Sequence, residues 1–164
     1  MLRRPIFAVG ASEHLQVCGR TVGGTLKLRY SLISGNTASV GGEIANRHIS
    51  DMTTAYNLVG HQELTNAEAF ANFTPGASDL TATSDGTTPT ALTDILDMTL
   101  RDNGGPTDTH NLVPGSPAID AVLAGCPPPE EDQRGVARPQ GAACDIGAVE
   151  FISEAALNEE GGGR

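Results

Sequence analysis

Short apolar stretches, separated by glycine and asparagine, recur at close intervals in the first part of the chain. The sequences "SLISGN", "TASVGGEIAN" and "AYNLVG" each set a few apolar residues beside Gly or Asn. Gly and Asn tolerate the left-handed backbone conformation of a sharp corner. Asn-Gly does not join two long alternating runs, as a meander of hairpins would favour. Very short strands with sharp corners therefore predict a chain wound into stacked layers, as in a parallel β-helix.

Composition also favours an all-β protein with a single core. The 164 residues include 20 glycines and 10 prolines, which demand many turns, and only 4% aromatic residues with no Trp. Such a core must be built from Leu, Ile, Val and Ala, which suits narrow repeating layers. A small β-sandwich is the rival interpretation, and periodicity alone leaves it open.

The clearest single strand is expected over residues 25–32, "TLKLRYSL". Apolar and polar residues alternate there, which places four apolar side chains on one face: Leu26, Leu28, Tyr30 and Leu32. A corner is expected at Ser34–Asn36. We predict at most one or two short helices. Residues 65–73 begin with a capping-box pattern, whereas the periodicity of residues 91–100 fits a helix and a strand equally well.

The charge distribution excludes some partners. The net charge is −10; residues 1–50 carry +4 and residues 51–164 carry −14. An acidic body disfavours nucleic acid and anionic membranes, which require a basic surface, and no apolar run is long enough for membrane insertion. We expect no cofactor, although the acidic surface permits weak calcium binding. The three cysteines form no C-x-x-C and the four histidines are scattered, so a zinc site is not expected.

Four stretches resemble a known family: "SLISGNTASVGG", "YNLVG", "DNGGPTDTHNLVPGSPAIDA" and "DQRGVARPQGAACDIGAVEF". They are similar to the C-terminal part of bacterial choice-of-anchor Q domain proteins, which are related to polymorphic outer-membrane-type β-helices. The resemblance covers residues 30–151. It implies a right-handed parallel β-helix, secreted or displayed at the cell surface, whose last layers are the closing motifs of residues 101–151.

This comparison suggests three regions. Residues 1–24 do not resemble a layer and are an atypical segment, a cap or a remnant. Residues 25–151 form the β-helix, and residues 152–164 form a flexible acidic tail. The start, "MLRRPIFAVGASEHL", has an apolar run too short for a full signal peptide, so we expect the chain to be the tail of a longer protein. The apolar layer near Leu26 would then be covered by residues 1–24 or by end-to-end association of two copies.

A β-helix exposes an apolar layer and unpaired backbone groups at its last turn. The segment 101–151, hereafter the closing segment, is expected to cover that end, with Leu112, Val113 and Ile119 dipping into the stack. Aspartates beside its turns can accept backbone N–H bonds, and Arg134 can make charge-assisted bonds with Asp132 and Asp145. The predicted structural cap comprises Asp102, Gly104, Gly105, Pro106, His110, Pro114, Gly115, Pro117, Asp120, Asp132, Arg134 and Asp145. Asp108 is expected to accept a backbone bond in the same way.

Cys126 and Cys144 bracket a Pro- and Gly-rich stretch, and we predict a disulfide between them. Closing that loop stabilises by about 3 kcal/mol and requires an oxidising compartment. Cys18 would then remain unpaired.

The same aspartates, with His110 and Arg134, admit a catalytic interpretation as paired carboxylates of a lyase or hydrolase. Turn-forming roles are favoured, because Gly and Pro flank these residues and no nucleophile-elbow or phosphate-loop motif is present. The leading hypothesis is a non-catalytic extracellular or cell-surface scaffold of adhesion type that binds carbohydrate or a surface protein. One alternative is a fragment of a pectate-lyase-like polysaccharide lyase or glycoside hydrolase. Another is a secreted cargo module whose tail acts only in export and anchoring.

Overall fold

The chain is an all-β protein, as the sequence predicts. The computed structural model describes residues 8–9, 15–17, 24–36, 38, 41–46, 49–124, 126 and 130–153. The strands in this part of the chain are β1 (Ala8–Val9), β2 (Leu15–Val17), β3 (Gly24–Arg29), β4 (Leu32–Ser34), β5 (Ile44–Asn46), β6 (Ile49–Ala55), β7 (Leu58–Val59), β8 (Phe70–Ala71) and β9 (Leu80–Thr81). Two single-turn helical segments accompany them, α1 (Asn66–Ala69) and a 3-10 turn (Leu92–Asp94).

Successive strands enter three different small sheets. Sheet A has the order β1-β4-β7-β9, sheet B has the order β2-β5-β8, and sheet C pairs β3 with β6. Every pairing between these strands is parallel; in sheet A, Leu32 pairs with Leu58, and Leu58 pairs with Leu80. Although the sequence sets residues 1–24 apart, β1 and β2 lie within them and pair in parallel with β4 and β5.

All three sheets contribute side chains to one buried cluster. Ile33 of β4 packs there with Val59 of β7, Ile44 of β5 and Leu28 of β3, and Phe73 completes the group. Each of these side chains is buried. These side chains, four of them aliphatic, together fill the space between the sheets.

The opposite face of sheet A belongs to a second apolar cluster. Neighbouring residues on a strand point to opposite faces, so Leu32 and Leu58 face away from Ile33 and Val59. The closing segment packs against them through five buried residues: Leu112, Ala118, Val122, Cys144 and Ile146. Sheet A is therefore covered on both faces, which explains its apolar character.

The predicted single strand over residues 25–32 is wrong at its end. β3 stops at Arg29, and Tyr30 adopts φ 56°, which turns the chain so that Leu32 begins β4 in another sheet. Tyr56 repeats this corner with φ 54°, and the two rings stack with centroids 6.1 Å apart. Strict alternation of apolar residues continued across this corner, so periodicity did not reveal it. The predicted corner near Gly35 is confirmed, with φ 82° at that residue.

The two ambiguous helical regions behave differently. In α1 the predicted capping box is confirmed: the Thr65 side chain accepts from the Glu68 N–H, and the Glu68 carboxylate accepts from the Thr65 N–H. The helix ends after one turn because Phe70 begins β8, which pairs with β5. Residues 91–100 form neither a regular helix nor a strand, since the 3-10 turn is followed by one antiparallel bridge from Leu96 to Leu112.

Candidate functional site

The predicted cap residues separate into exposed turns and buried tie points. The exposed turns contain Asp102, Gly104, Gly105, Pro106, Pro114 and Gly115. As expected of a turn-forming aspartate, Asp102 accepts a hydrogen bond from the Gly104 N–H at 2.9 Å. Asp108 is exposed on the same loop. These residues shape the loops, and their exposure gives them no part in the buried core.

His110 and Pro117 are half-buried within the closing segment. The His110 Nδ1 atom lies 2.7 Å from the backbone oxygen of Asp97. This contact joins the stretch after the 3-10 turn to the closing segment. The imidazole therefore has a structural contact, in keeping with the interpretation of His110 as a polar structural residue.

Two aspartates fasten distant parts of the closing segment through backbone N–H groups. The buried Asp145 carboxylate accepts from the Asp120 N–H at 2.7 Å and from the Phe151 N–H at 2.5 Å. Asp120, which has φ 53°, accepts in turn from the Ala143 N–H at 2.9 Å. Two carboxylates thus join the stretch at Asp120 to residues 143–151.

A buried ion pair joins Asp132 to Arg134. Two guanidinium nitrogens of Arg134 donate to Asp132 Oδ2, at 3.0 Å and 2.7 Å, and one also donates to the Glu150 backbone oxygen at 2.5 Å. The sequence predicts the pair of Asp132 and Arg134. The expected charge-assisted bond from Arg134 to Asp145 is replaced by the bond to the Glu150 backbone oxygen. Asp145 is held by the backbone N–H groups of Asp120 and Phe151 instead.

A second buried ion pair, between Arg138 and Glu150, was not predicted. Arg138 Nη1 lies 2.5 Å from Glu150 Oε1, and the same guanidinium donates to the backbone oxygens of Asp145 and Gly147. The side chains are 5% and 0% exposed. The available sequence signal was the isolated Glu150 between apolar neighbours in "GAVEF", since a charged residue in such a setting needs a buried partner.

These contacts give the buried carboxyls opposite titration behaviour. Although burial opposes ionisation of Asp132, hydrogen bonds from Arg134 and from backbone N–H groups hold its pKa below the usual value. Burial raises the pKa of Asp145 to about 6, and the nearby carboxylates of Glu150 and Asp120 add to that rise. Asp145 therefore takes up a proton at a higher pH than an ordinary aspartate does.

The predicted disulfide between Cys126 and Cys144 is confirmed, with the two Cα atoms 5.4 Å apart. Cys144 is fully buried, and its backbone oxygen accepts from the Val122 N–H at 3.0 Å. The bridge therefore fixes the middle of the closing segment to the core. Cys18 lies outside the described residues.

The closing segment packs against the face of sheet A that carries Leu32 and Leu58, and the predicted cover of the last turn of a β-helix stays a prediction. The Gly147 N–H donates to the Tyr30 backbone oxygen at 3.1 Å, and Leu112 is buried against sheet A, while Val113 and Ile119 are half-buried. This placement follows from the outward-facing leucines of β4 and β7. They form an apolar surface that would otherwise face water.

A shallow groove of about 480 Å³ opens beside α1. Phe70 and Phe73, in edge-to-face contact, line its apolar part. Asp79 also lines it, but both its carboxylate oxygens accept hydrogen bonds from the chain itself, from Asn57 and from Gly76. The Asp79 carboxylate in this groove therefore has a structural role.

The buried carboxylates of the closing segment have structural roles, because they bind other groups of the chain. Both oxygens of Asp132, of Asp145 and of Glu150 accept hydrogen bonds from the chain. Within the described ranges, no group of three or more His, Cys, Asp or Glu side chains is placed to hold a metal ion. In the same part of the chain, no helix has the length and apolar character needed to cross a membrane.

Comparisons with family models, with curated proteins and with solved structures found no match to this chain.

Proposed function

We propose that this chain is part of a right-handed parallel β-helix that serves as a non-catalytic scaffold outside the cell or on its surface. The observation that carries the proposal is the repeated return of the chain to the same sheet. Ser31 and Asn57, which occupy equivalent places before β4 and β7, are 26 residues apart, and the next return takes 22 residues. Such a regular return is the property expected of a solenoid.

The direction of pairing favours this architecture over a β-sandwich. A sandwich is built from antiparallel strands, whereas every pairing among β1–β9 is parallel. The antiparallel contacts among the described residues are isolated bridges after β9, such as Val122 to Cys144. Each of them has at least one partner in the closing segment, which packs against sheet A.

An oxidising location is supported by the Cys126–Cys144 bridge, since disulfides persist mainly in secreted and surface proteins. A scaffold role is supported by the buried ion pairs of Asp132 with Arg134 and of Arg138 with Glu150, because each of these charged side chains is bonded to another residue of the chain. The net charge of −10 favours solubility and disfavours binding to nucleic acid.

Sheet C presents the face that we propose for contact with carbohydrate or a surface protein. Its exposed side chains are Thr25, Lys27, Arg29, Asp51 and Thr53. They stand in two adjacent rows, with Lys27 beside Thr53 and Thr25 bonded to Asp51. Hydroxyl, ammonium and carboxylate groups at regular strand spacing suit repeated polar contacts with a saccharide chain.

A binding and turnover assay tests this proposal. The protein is applied to a glycan array and to cells, and is incubated with pectins, alginates and glycosaminoglycans while reducing ends and unsaturated products are followed. We expect binding without turnover, weakened by Lys27→Ser with Thr53→Ala and unchanged by the exposed control Arg101→Ser. Turnover of any polysaccharide would replace the scaffold by an enzyme fragment, and an absence of binding would end the adhesion hypothesis.

A further inference from the structure

A histidine lies between two glutamates where the chain turns after β7. His61 Nε2 is 3.5 Å from Glu43 Oε1, and its Nδ1 is hydrogen-bonded to Glu63 Oε2. The Glu43 side chain is 0% exposed and that of His61 is 11% exposed, whereas Glu63 is 59% exposed. A charged group as deeply buried as Glu43 requires both a counter-charge and hydrogen-bond donors.

Glu43 receives its donors from the preceding corner of the chain. Its carboxylate accepts from the Gly35 N–H at 2.8 Å, from the Asn36 N–H at 3.3 Å and from the Asn36 side chain at 2.8 Å. Gly35 and Asn36 follow β4, and His61 follows β7, which pairs with β4 in sheet A. The carboxylate therefore connects two corners that are stacked on each other.

The positions of the two ring nitrogens fix the number of protons that the cluster needs. Both nitrogens of His61 face a carboxylate oxygen, so two favourable contacts require two protons among the three groups. The imidazolium with two carboxylates satisfies this condition. Loss of one proton leaves a nitrogen lone pair facing a carboxylate, which replaces an attraction by a repulsion.

We propose that Glu43, His61 and Glu63 form a proton-dependent latch that joins the corner after β4 to the corner after β7. Among the described residues, the charged groups that face His61 are these two glutamates. The latch is closed when His61 is protonated and both glutamates are ionised. It opens as the pH rises and the imidazolium is lost, so a base-sensitive contact is built into the stack.

Glu43 determines how the latch responds when the pH falls. Burial raises the pKa of the Glu43 carboxyl, against the opposing hydrogen bonds of Asn36 and the charge of His61. Glu43 therefore takes up a proton at a higher pH than an ordinary glutamate does, and this removes the counter-charge of His61. The latch is strongest in an intermediate range of pH.

Amide hydrogen exchange at Gly35 and Asn36 tests the proposal on the full chain. Protection factors, corrected for the intrinsic pH dependence of exchange, are measured between about pH 6 and pH 9, where an imidazole can lose its proton. In the wild type we expect protection to fall about tenfold across this range. The fall reflects loss of the charge-assisted contact of His61 with Glu43, the carboxylate that accepts from both amides. In His61→Gln protection should be constant, and His110→Gln should behave as the wild type does.

A milder variant keeps the proposal testable if His61→Gln does not fold. Glu63→Gln retains an acceptor for Nδ1–H on a largely exposed side chain but removes one charge, so the loss of protection should move to lower pH. The same shift should appear in the His61 ring signals followed by NMR. Wild-type protection that is independent of pH, or a transition unaltered by Glu63→Gln, would overturn the latch.

Discussion

The side chain of Asn57 donates to the carboxylate of Asp79 at 2.9 Å, and both residues are buried. The Asn57 backbone N–H donates to the same oxygen, while its side-chain oxygen accepts from the Ser31 N–H at 3.0 Å. Ser31, Asn57 and Asp79 immediately precede β4, β7 and β9. This polar ladder holds β4, β7 and β9, three of the four strands of sheet A, in register, because each hydrogen bond joins the residue before one strand to the residue before its neighbour.

Replacing Asn57 by leucine should therefore disrupt sheet A. The Ser31 N–H would be left buried without its acceptor, and the Asp79 carboxylate would lose its side-chain donor while it keeps two backbone donors. Together these losses cost about 2–4 kcal/mol in the free energy of unfolding. Urea denaturation measures the loss, with the exposed Gln62→Leu as the matched control. Equal stability of the two variants would show that the ladder does not hold the strands.

Arg138→Met should destabilise the closing segment strongly. Glu150 would remain buried without its cation, and breaking a buried pair in this way costs about 3–5 kcal/mol. The matched control is Arg101→Met, which removes the exposed partner of Asp97, and should leave stability unchanged within error. If both variants unfold at the same urea concentration as the wild type, Arg138 is not a buried tie point.

Removal of the disulfide by Cys126→Ser should lower the free energy of unfolding by about 3 kcal/mol, because the open chain gains conformational entropy when unfolded. Thiol titration of the wild type checks the pairing. The denatured, unreduced protein should show one free thiol, and the reduced protein should show three. Three free thiols before reduction would contradict the bridge.

Acidification from neutral pH should increase the stability contributed by Asp145. Its folded pKa of about 6 lies above the ordinary value of 3.8, so the folded state binds the proton more tightly than the unfolded state does. The contribution is fully present below the unfolded pKa and is lost as the pH rises through about 6; its size is at most about 3 kcal/mol.

The slope of stability against pH between about 4 and 7 provides the measurement. Asp145→Asn should flatten this slope, whatever its effect on absolute stability. Asp132 acts in the opposite sense, because its pKa is lowered, so its contribution is lost only in stronger acid, as the pH falls through its folded pKa. An unaltered slope in Asp145→Asn would assign the pH dependence to another group.

Features set by neighbouring residues were accessible from the sequence. The corner at Gly35 and the capping box of Thr65 and Glu68 depend on residue type and close spacing. The bridge of Cys126 to Cys144 was likewise indicated by the few cysteines available.

Features set by contacts between residues well separated in sequence were not accessible in the same way. The corner at Tyr30 is stabilised by a ring 26 positions later, and the alternation of apolar residues runs through it without a break. The pairing of Arg138 with Glu150, and the burial of Glu43 beside His61, depend on turns brought together only by the fold. Patterns of neighbouring residues carry no information about such contacts.

The winding of the chain is tested most directly by nuclear Overhauser effects in the uniformly labelled protein. We predict the pattern of parallel neighbours from Leu32 to Leu58 and from Leu58 to Leu80, together with side-chain contacts between Leu32 and Ile146. Close Hα–Hα contacts between these strands, which are typical of antiparallel pairing, or a closing segment without contacts to Leu32, would contradict the account.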